Sequence, residues 1–187
     1  MRLFVALEVP STVRENLARL LKSLHAVSPQ TRWVRPDNLH VTLKFIGEVP
    51  EAKLAPIRAA LAHGNSDQPV MLDFRGLGFF PNEKHPRVFW AGIEASENLK
   101  TLAADIDKAT ETLGIPREPR PFSPHLTLAR FEPPRLPDRL RAAIQENAAR
   151  DFGSLQTNQF HLIESKLKPS GAEYTTVESF PFVAAEA

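Results

Sequence analysis

The chain has 187 residues, 42% of them hydrophobic and 24% charged, and its 23 basic and 22 acidic side chains leave a net charge of +1. That composition suits a globular fold with a sizeable core, and the near-balance of charge argues against a protein that coats long nucleic acid through a basic face, while leaving room for a small positive pocket. The lack of cysteine excludes disulfides, thiolate chemistry and cysteine-based zinc sites together.

The opening MRLFVALEVP is too short an apolar run, and meets Glu8 too early, to read as a secretory segment, and no apolar run reaches the ~18 residues of a membrane span. A cytoplasmic address is the expectation. Residues 2–8 read as a first strand. Ser11 then suits a helix N-cap, with Val13, Leu17, Leu20, Leu21 and Leu24 recurring on one face to about residue 26. Pro29 to Pro36 form a turn-rich stretch holding a short extended piece, TRWV. Residues 39–47, LHVTLKFIG, alternate as a strand: Val41, Leu43 and Phe45 face one way and His40, Thr42, Lys44 and Ile46 the other.

A helix over 51–63 carries Leu54, Ile57 and Leu61, and a strand over 69–80 contains Gly76 and Gly78, which permit a bulge or a close backbone approach. After a loop at 81–86 comes a strand at 87–93, then a long helix marked by Leu99, Leu102, Ala103, Ile106 and Leu113. A proline-rich loop, 116–124, leads into the strand HLTLAR, 125–130. The stretch 137–149 reads as a helix with Pro137 in its first turn. Two final strands, 160–167 and 172–182, flank the turn KPSG. The total is roughly eight strands and four helices.

The order of elements contains an echo: a helix, a His-x-Thr-Leu strand and a helix occur twice, with the histidines 125 − 40 = 85 residues apart. That separation lets each copy occupy its own lobe. The motifs are His40-Val41-Thr42-Leu43 and His125-Leu126-Thr127-Leu128. Residues two apart on a strand share a face, so each imidazole projects with its threonine hydroxyl while the hydrophobic positions anchor the other face. A cleft with one such strand on each side offers two imidazoles and two hydroxyls to one tetrahedral group. Neutral imidazole accepts a proton and imidazolium donates one, and a reference pKa of ~6.5 makes both forms accessible. This set suits hydrolysis of a phosphate ester, with the hydroxyls held toward the nonbridging oxygens.

His25, His63, His85 and His161 have no matching partner pattern and read as incidental. No His-Glu-x-x-His helix or tight Asp/His spacing suggests a metal site, and the threonine two beyond each key histidine is a poor zinc ligand. Neither cysteine nor a Gly-x-Ser-x-Gly elbow supports nucleophilic catalysis.

RLFVALEVP, RWVRPDNLHVTLKFIGEV, PRVFWAGI and RPFSPHLTLAR, in this order through residues 1–130, resemble the bacterial and archaeal RNA 2',3'-cyclic phosphodiesterases, also called 2'-5' RNA ligases, of the two-histidine phosphoesterase superfamily. The resemblance implies an α+β fold of two pseudo-twofold lobes, each an antiparallel-rich sheet with helices outside, meeting at a central cleft and forming one domain over 1–187. It implies opening of a terminal 2',3'-cyclic phosphate to a 2'-phosphomonoester, with 2'-5' ligation as the reverse reaction. His40 would then protonate the leaving 3' oxygen and His125 would activate water, without metal or other cofactor.

Arg130 matches the family's basic residue after the second motif and joins Thr42 and Thr127 as a candidate phosphate ligand, although strict alternation from His125 turns it away from the cleft. Lys44, Arg120 and Phe122 are candidate RNA contacts, while Phe45 shares the face of Val41 and Leu43 and reads as core. The expected partner is an RNA end and the expected state a monomer. Small cyclic nucleotides, 2'-5' oligonucleotides, or a noncatalytic nucleotide-binding role are the alternatives.

Overall fold

The computed structural model describes residues 1–63 and 66–182. Its first strand, β1 (Arg2–Glu8), has every residue from Leu3 to Leu7 buried, because it lies between two neighbours in a sheet covered on both faces. The helix α1 (Ser11–Val27) buries the five residues that the periodicity marks, Val13, Leu17, Leu20, Leu21 and Leu24. Its cap is Pro10 and not Ser11, whose side chain makes no capping bond. The fixed φ of proline sets the extended entry, and the Pro10 carbonyl accepts the Arg14 N–H at 2.9 Å.

The remaining strands are β2 (Arg32–Trp33), β3 (His40–Glu48), β4 (Val70–Pro81), β5 (Pro86–Ala95), β6 (His125–Arg130), β7 (Asp151–Thr157), β8 (Gln159–Lys168) and β9 (Gly171–Pro181). The helices are α2 (Leu54–Leu61), α3 (Glu97–Glu111) and α4 (Asp138–Gln145). A 3₁₀ turn, Glu51–Lys53, opens the segment expected as one helix. Pro137 occupies the cap of α4, one position outside the expected first turn, and the helix stops at Gln145, short of 149. Strand β7 lies between the helix and the strand that the sequence pattern marks at 137–149 and 160–167.

All ladders are antiparallel and form two sheets, ordered β3-β1-β8-β9 and β2-β6-β5-β4-β7. Leaving aside β2, the second order repeats the first position for position, with β6 matching β3 and β5 matching β1. The fold is therefore the expected α+β duplication. β2 extends the second sheet from the first half of the chain, and Val34 N–H continues that pairing by donating to Leu128 O at 2.9 Å. One hydrophobic cluster runs through both sheets and all four helices. A smaller one, Phe4, Ala6 and Ile163 with Tyr174 against it, covers the opposite face of the first sheet.

Both motif strands break the strict alternation at the same place. In β3, Val5 pairs Lys44 and Ala6 pairs Thr42, so Leu43 is an extra residue. In β6, Phe89 pairs Ala129 and Trp90 pairs Thr127, so Leu128 is the extra residue. A β-bulge reverses the facing of everything beyond it. Leu43 and Lys44 are both buried, as are Leu128 and Ala129. The next residues, Phe45 and Arg130, come back to the side of the histidines.

Two expectations based on strict alternation are thereby corrected. Phe45 is not core but 49% exposed. Lys44 does not share the His40 face; it is 3% exposed. Its ammonium donates to Asp107 Oδ1 at 2.5 Å and to the Pro116 carbonyl at 2.7 Å, tying β3 to α3 and the loop after it. Burial pushes the Asp107 carboxyl up, but hydrogen bonds from Lys44 and the Glu118 N–H, with the charges of Lys44 and Arg117, outweigh it and hold the group below the usual carboxylate range.

Removing one partner of a buried ion pair strands the other, whereas replacing both with apolar groups is often neutral. Lys44→Ala is expected to cost about 3 kcal/mol, the low end for such a loss, because Asp107 keeps the Glu118 N–H. Urea denaturation should show that loss, and Lys44→Met with Asp107→Leu should recover most of it. An unchanged midpoint for Lys44→Ala would contradict the assigned pairing.

Candidate active site

The side chains on the inner faces of β3 and β6 meet around a cleft of about 260 Å³ lined by His40, Thr42, Phe45, His125, Thr127 and Arg130. Arg2 and Phe4 from β1, Asn38, Ser165 from β8 and Tyr174 from β9 complete the first-sheet side. Thus both histidines and both threonines come together as the repeated motif requires, and Arg130 joins them. Arg130 belongs with them because the bulge at Leu128 turns it round. Phe45 is its counterpart in the other half, at the same position beyond the matching bulge, and the Arg2 guanidinium lies over its ring, 5.2 Å from the centroid.

Each imidazole is held in the same way. His40 Nδ1 lies 3.2 Å from Asn38 O, and His125 Nδ1 lies 2.8 Å from Ser123 O, in each case the carbonyl two residues earlier. A carbonyl only accepts, so Nδ1 carries the hydrogen and donates it. That fixes the tautomer and leaves Nε2 of each ring as the nitrogen available to a ligand. The sequence signal is local: Pro36–Asn38 form a 3₁₀ turn just before β3, and a proline, Pro124, immediately precedes His125.

The two rings differ in their surroundings. Phe4 and Tyr174 approach His40 edge-on, with ring centroids 6.1 and 5.6 Å away. Burial there holds the His40 pKa below the ordinary imidazole value; Arg14 and His161 add to the effect, while the Asn38 carbonyl and Glu8 oppose it. His125 meets Phe80 edge-on at 4.9 Å. Of the other histidines, His25, His63 and His85 are exposed. His161 is buried, with Nδ1 2.8 Å from Ser179 Oγ, and lies outside the cleft lining.

Tyr174 was not anticipated. It is the sole tyrosine, but on a strand with alternating small and polar residues it reads as ordinary β-propensity. Its placement depends on the β8–β9 hairpin being fastened beside His40: Arg35 and the Asn38 amide both donate to Ala172 O, at 2.6 and 2.9 Å. Asn38 therefore contacts the hairpin through its side chain and His40 through its carbonyl.

A larger groove, about 840 Å³, opens from the cleft and shares Thr42, Phe45 and His125 with it. Arg120 and Phe122 line this groove, as do Phe80, Pro81 and Arg87. Lys44 borders it, but its ammonium is turned away into Asp107. Among the described residues no group of three or more His, Asp and Glu side chains gathers as a metal-binding cluster. No helix among them is long and apolar enough to cross a membrane.

The sequence model of the family described as LigT-like phosphoesterase matches residues 7–90 and again 93–174, one match for each half. Proteins named RNA 2',3'-cyclic phosphodiesterase resemble the chain over nearly its whole length. That of Archaeoglobus fulgidus is 37% identical, covering 96% of this chain and 99% of its own. That of Methanothermobacter thermautotrophicus is 34% identical, covering 96% and 97%. Among solved structures, a Thermus thermophilus protein superposes with a TM-score of 0.78 at 36% identity, covering 100% of both chains. E. coli LigT complexed with 3'-AMP superposes with a TM-score of 0.75 at 26% identity, covering 97% of both. Two matches to one family sequence model, full-length relatives and a shared duplicated fold agree: the chain belongs to the LigT-like phosphoesterase family.

Proposed function

We propose that the chain opens the 2',3'-cyclic phosphate at the end of an RNA strand to a 2'-phosphomonoester, by acid–base catalysis between His40 and His125 that requires no metal. One observation carries the reading: two imidazoles from matching strands, each with Nδ1 committed to a backbone carbonyl, line a single cleft together with Thr42, Thr127 and Arg130. The names of the full-length relatives support the substrate class.

In this mechanism His125 Nε2 takes a proton from water as its oxygen attacks phosphorus. The bond from phosphorus to the 3' oxygen breaks, and His40 Nε2 gives that oxygen its proton. The phosphate stays on the 2' oxygen, and proton exchange with solvent resets both rings. The Thr42 and Thr127 hydroxyls and the Arg130 guanidinium donate to the nonbridging oxygens, where negative charge is held through the transition state. With the 5'-hydroxyl of another strand in place of water, His125 takes that hydroxyl's proton, the same bond to the 3' oxygen breaks, and the two ends are joined by a 2'-5' linkage. The whole of 1–187 works as one two-lobed domain, a monomer in the cytoplasm.

E. coli LigT complexed with 3'-AMP shows a mononucleotide bound to a structural relative, which supports a second reading in which the substrate is a small cyclic nucleotide and not an RNA end. A noncatalytic module would bind nucleotide yet show no turnover that either histidine substitution alters.

An oligoribonucleotide ending in 2',3'-cyclic phosphate, incubated with chelator, should be hydrolysed at an undiminished rate with phosphate retained on the 2' oxygen. His40→Ala and His125→Ala should each lower kcat by ~10²–10⁴-fold. Retention on the 3' oxygen would reverse the assigned bond cleavage, and loss of activity with chelator would overturn the metal-free mechanism.

The His40 environment gives a further expectation. An acid must be protonated, so activity falls as pH rises through its pKa. In the free enzyme that pKa lies below the ordinary value because burial disfavours the charged ring, whereas a bound phosphate anion favours it. The alkaline limb of kcat/KM, which reports free enzyme, should therefore lie at lower pH than that of kcat, which reports the complex. Coincident limbs would argue against His40 as the acid.

A further inference from the structure

The cleft and the groove beside it differ in size and chemistry. The groove, at about 840 Å³, is roughly three times the 260 Å³ cleft and continues from it past Thr42, Phe45 and His125. Its wall carries three phenyl rings, Phe45, Phe80 and Phe122, with Pro81 beside them. Two exposed guanidiniums, Arg87 and Arg120, stand against a single carboxylate, Glu118. Neither of those arginines meets a carboxylate within ion-pair distance among the described residues, in contrast to Arg117, which lies 3.7 Å from Asp107 and 3.4 Å from Glu111.

We propose that this groove holds the single-stranded RNA next to the cyclic-phosphate end, stacking at least the penultimate base, and so makes the enzyme prefer an oligoribonucleotide over a mononucleotide. The assignment rests on the reaction proposed above and adds a substrate length to it. Aromatic faces alternating with unpaired cations are what single-stranded nucleic acid requires, since every base has a π-face and every link a phosphate. The cleft suits the reacting phosphate and its ribose, and the groove is too large for one base alone. Among the described residues, Ser123 and Glu118 are the only polar side chains on its wall apart from the arginines and the residues of the motif strands. With so few groups to read base edges, the groove selects strand length and not sequence.

The test compares kcat/KM for a nucleoside 2',3'-cyclic phosphate, a trinucleotide ending in cyclic phosphate, and the same trinucleotide with an abasic penultimate residue. Wild type should favour the intact trinucleotide over the mononucleotide by ~10–100-fold, and the abasic form should lose at least ~5-fold, the range of one base stack. Arg87→Gln with Arg120→Gln should lower kcat/KM for the trinucleotide about tenfold, through KM, and leave mononucleotide turnover unchanged. Phe122→Leu, which keeps an apolar side chain against the core, should abolish the difference between intact and abasic trinucleotides.

Equal rates for intact and abasic substrates, or equal losses on trinucleotide and mononucleotide in the arginine variant, would overturn the groove assignment. So would a wild-type dimer in sedimentation that Phe122→Leu dissociates, because the groove would then belong to a second copy of the chain. Failure of wild type to hydrolyse any of the three substrates would instead overturn the proposed reaction, so the two failures are distinguishable.

Discussion

Side chains alternate across a β-strand, so one extra residue reverses the facing of everything beyond it. The candidate active cleft of this protein depends on that device being used twice. Without the bulge at Leu128, Arg130 would point into the core, and without the bulge at Leu43, Lys44 would stand in the cleft and Phe45 in the core. Each bulge lets a six-residue stretch present its first, third and sixth side chains to one space: His40, Thr42 and Phe45 from one half, His125, Thr127 and Arg130 from the other. The leucine at the bulge and the residue after it share the buried side, so the distortion is anchored by hydrophobic packing and, in β3, also by the Lys44–Asp107 pair.

Duplication supplies two equivalent frames, and divergence at a few positions makes them chemically unequal. The backbone clamp on Nδ1 is common to both histidines and sets the same tautomer in each. Beyond it, the His40 ring is enclosed by Phe4 and Tyr174 and is harder to charge. The sixth position is a phenyl ring in one half and a guanidinium in the other. Burial of the His40 ring acts against the imidazolium that the proposed acid needs, so this inequality suits the proposed roles only with a phosphate anion bound beside the ring to favour its charged form.

The repeated His-x-Thr-Leu motif made the duplication, the sheet-lining role of the strands and the pairing of His40 with His125 legible from sequence, since a period of two is enough to place residues 40, 42, 125 and 127. The bulges were not legible. Nothing in LKF or LAR distinguishes a bulged strand from a regular one, and the ladder partners that create the shift lie far away in the chain, in β1 and β5. The same limit hid the buried pair of Lys44, since its partner is on a helix 63 residues on. Strand β7 escaped because DFGSLQT carries little apolar alternation and its order comes from edge pairing with β4. Tyr174 had no motif around it; only the fastening of the β8–β9 hairpin to Arg35 and Asn38 places it beside His40.

The account stands on both Nε2 atoms reaching one phosphoryl group while Arg130 holds its oxygens. A crystal structure with vanadate and a nucleoside bound in the cleft tests this directly. It should place Nε2 of His40 and Nε2 of His125 each within hydrogen-bond reach, ~2.6–3.2 Å, of oxygens on opposite sides of a single vanadium, with Thr42, Thr127 and Arg130 on the others. A vanadate bound by only one imidazole, with the other ring still distant and Arg130 turned out to solvent, would contradict it.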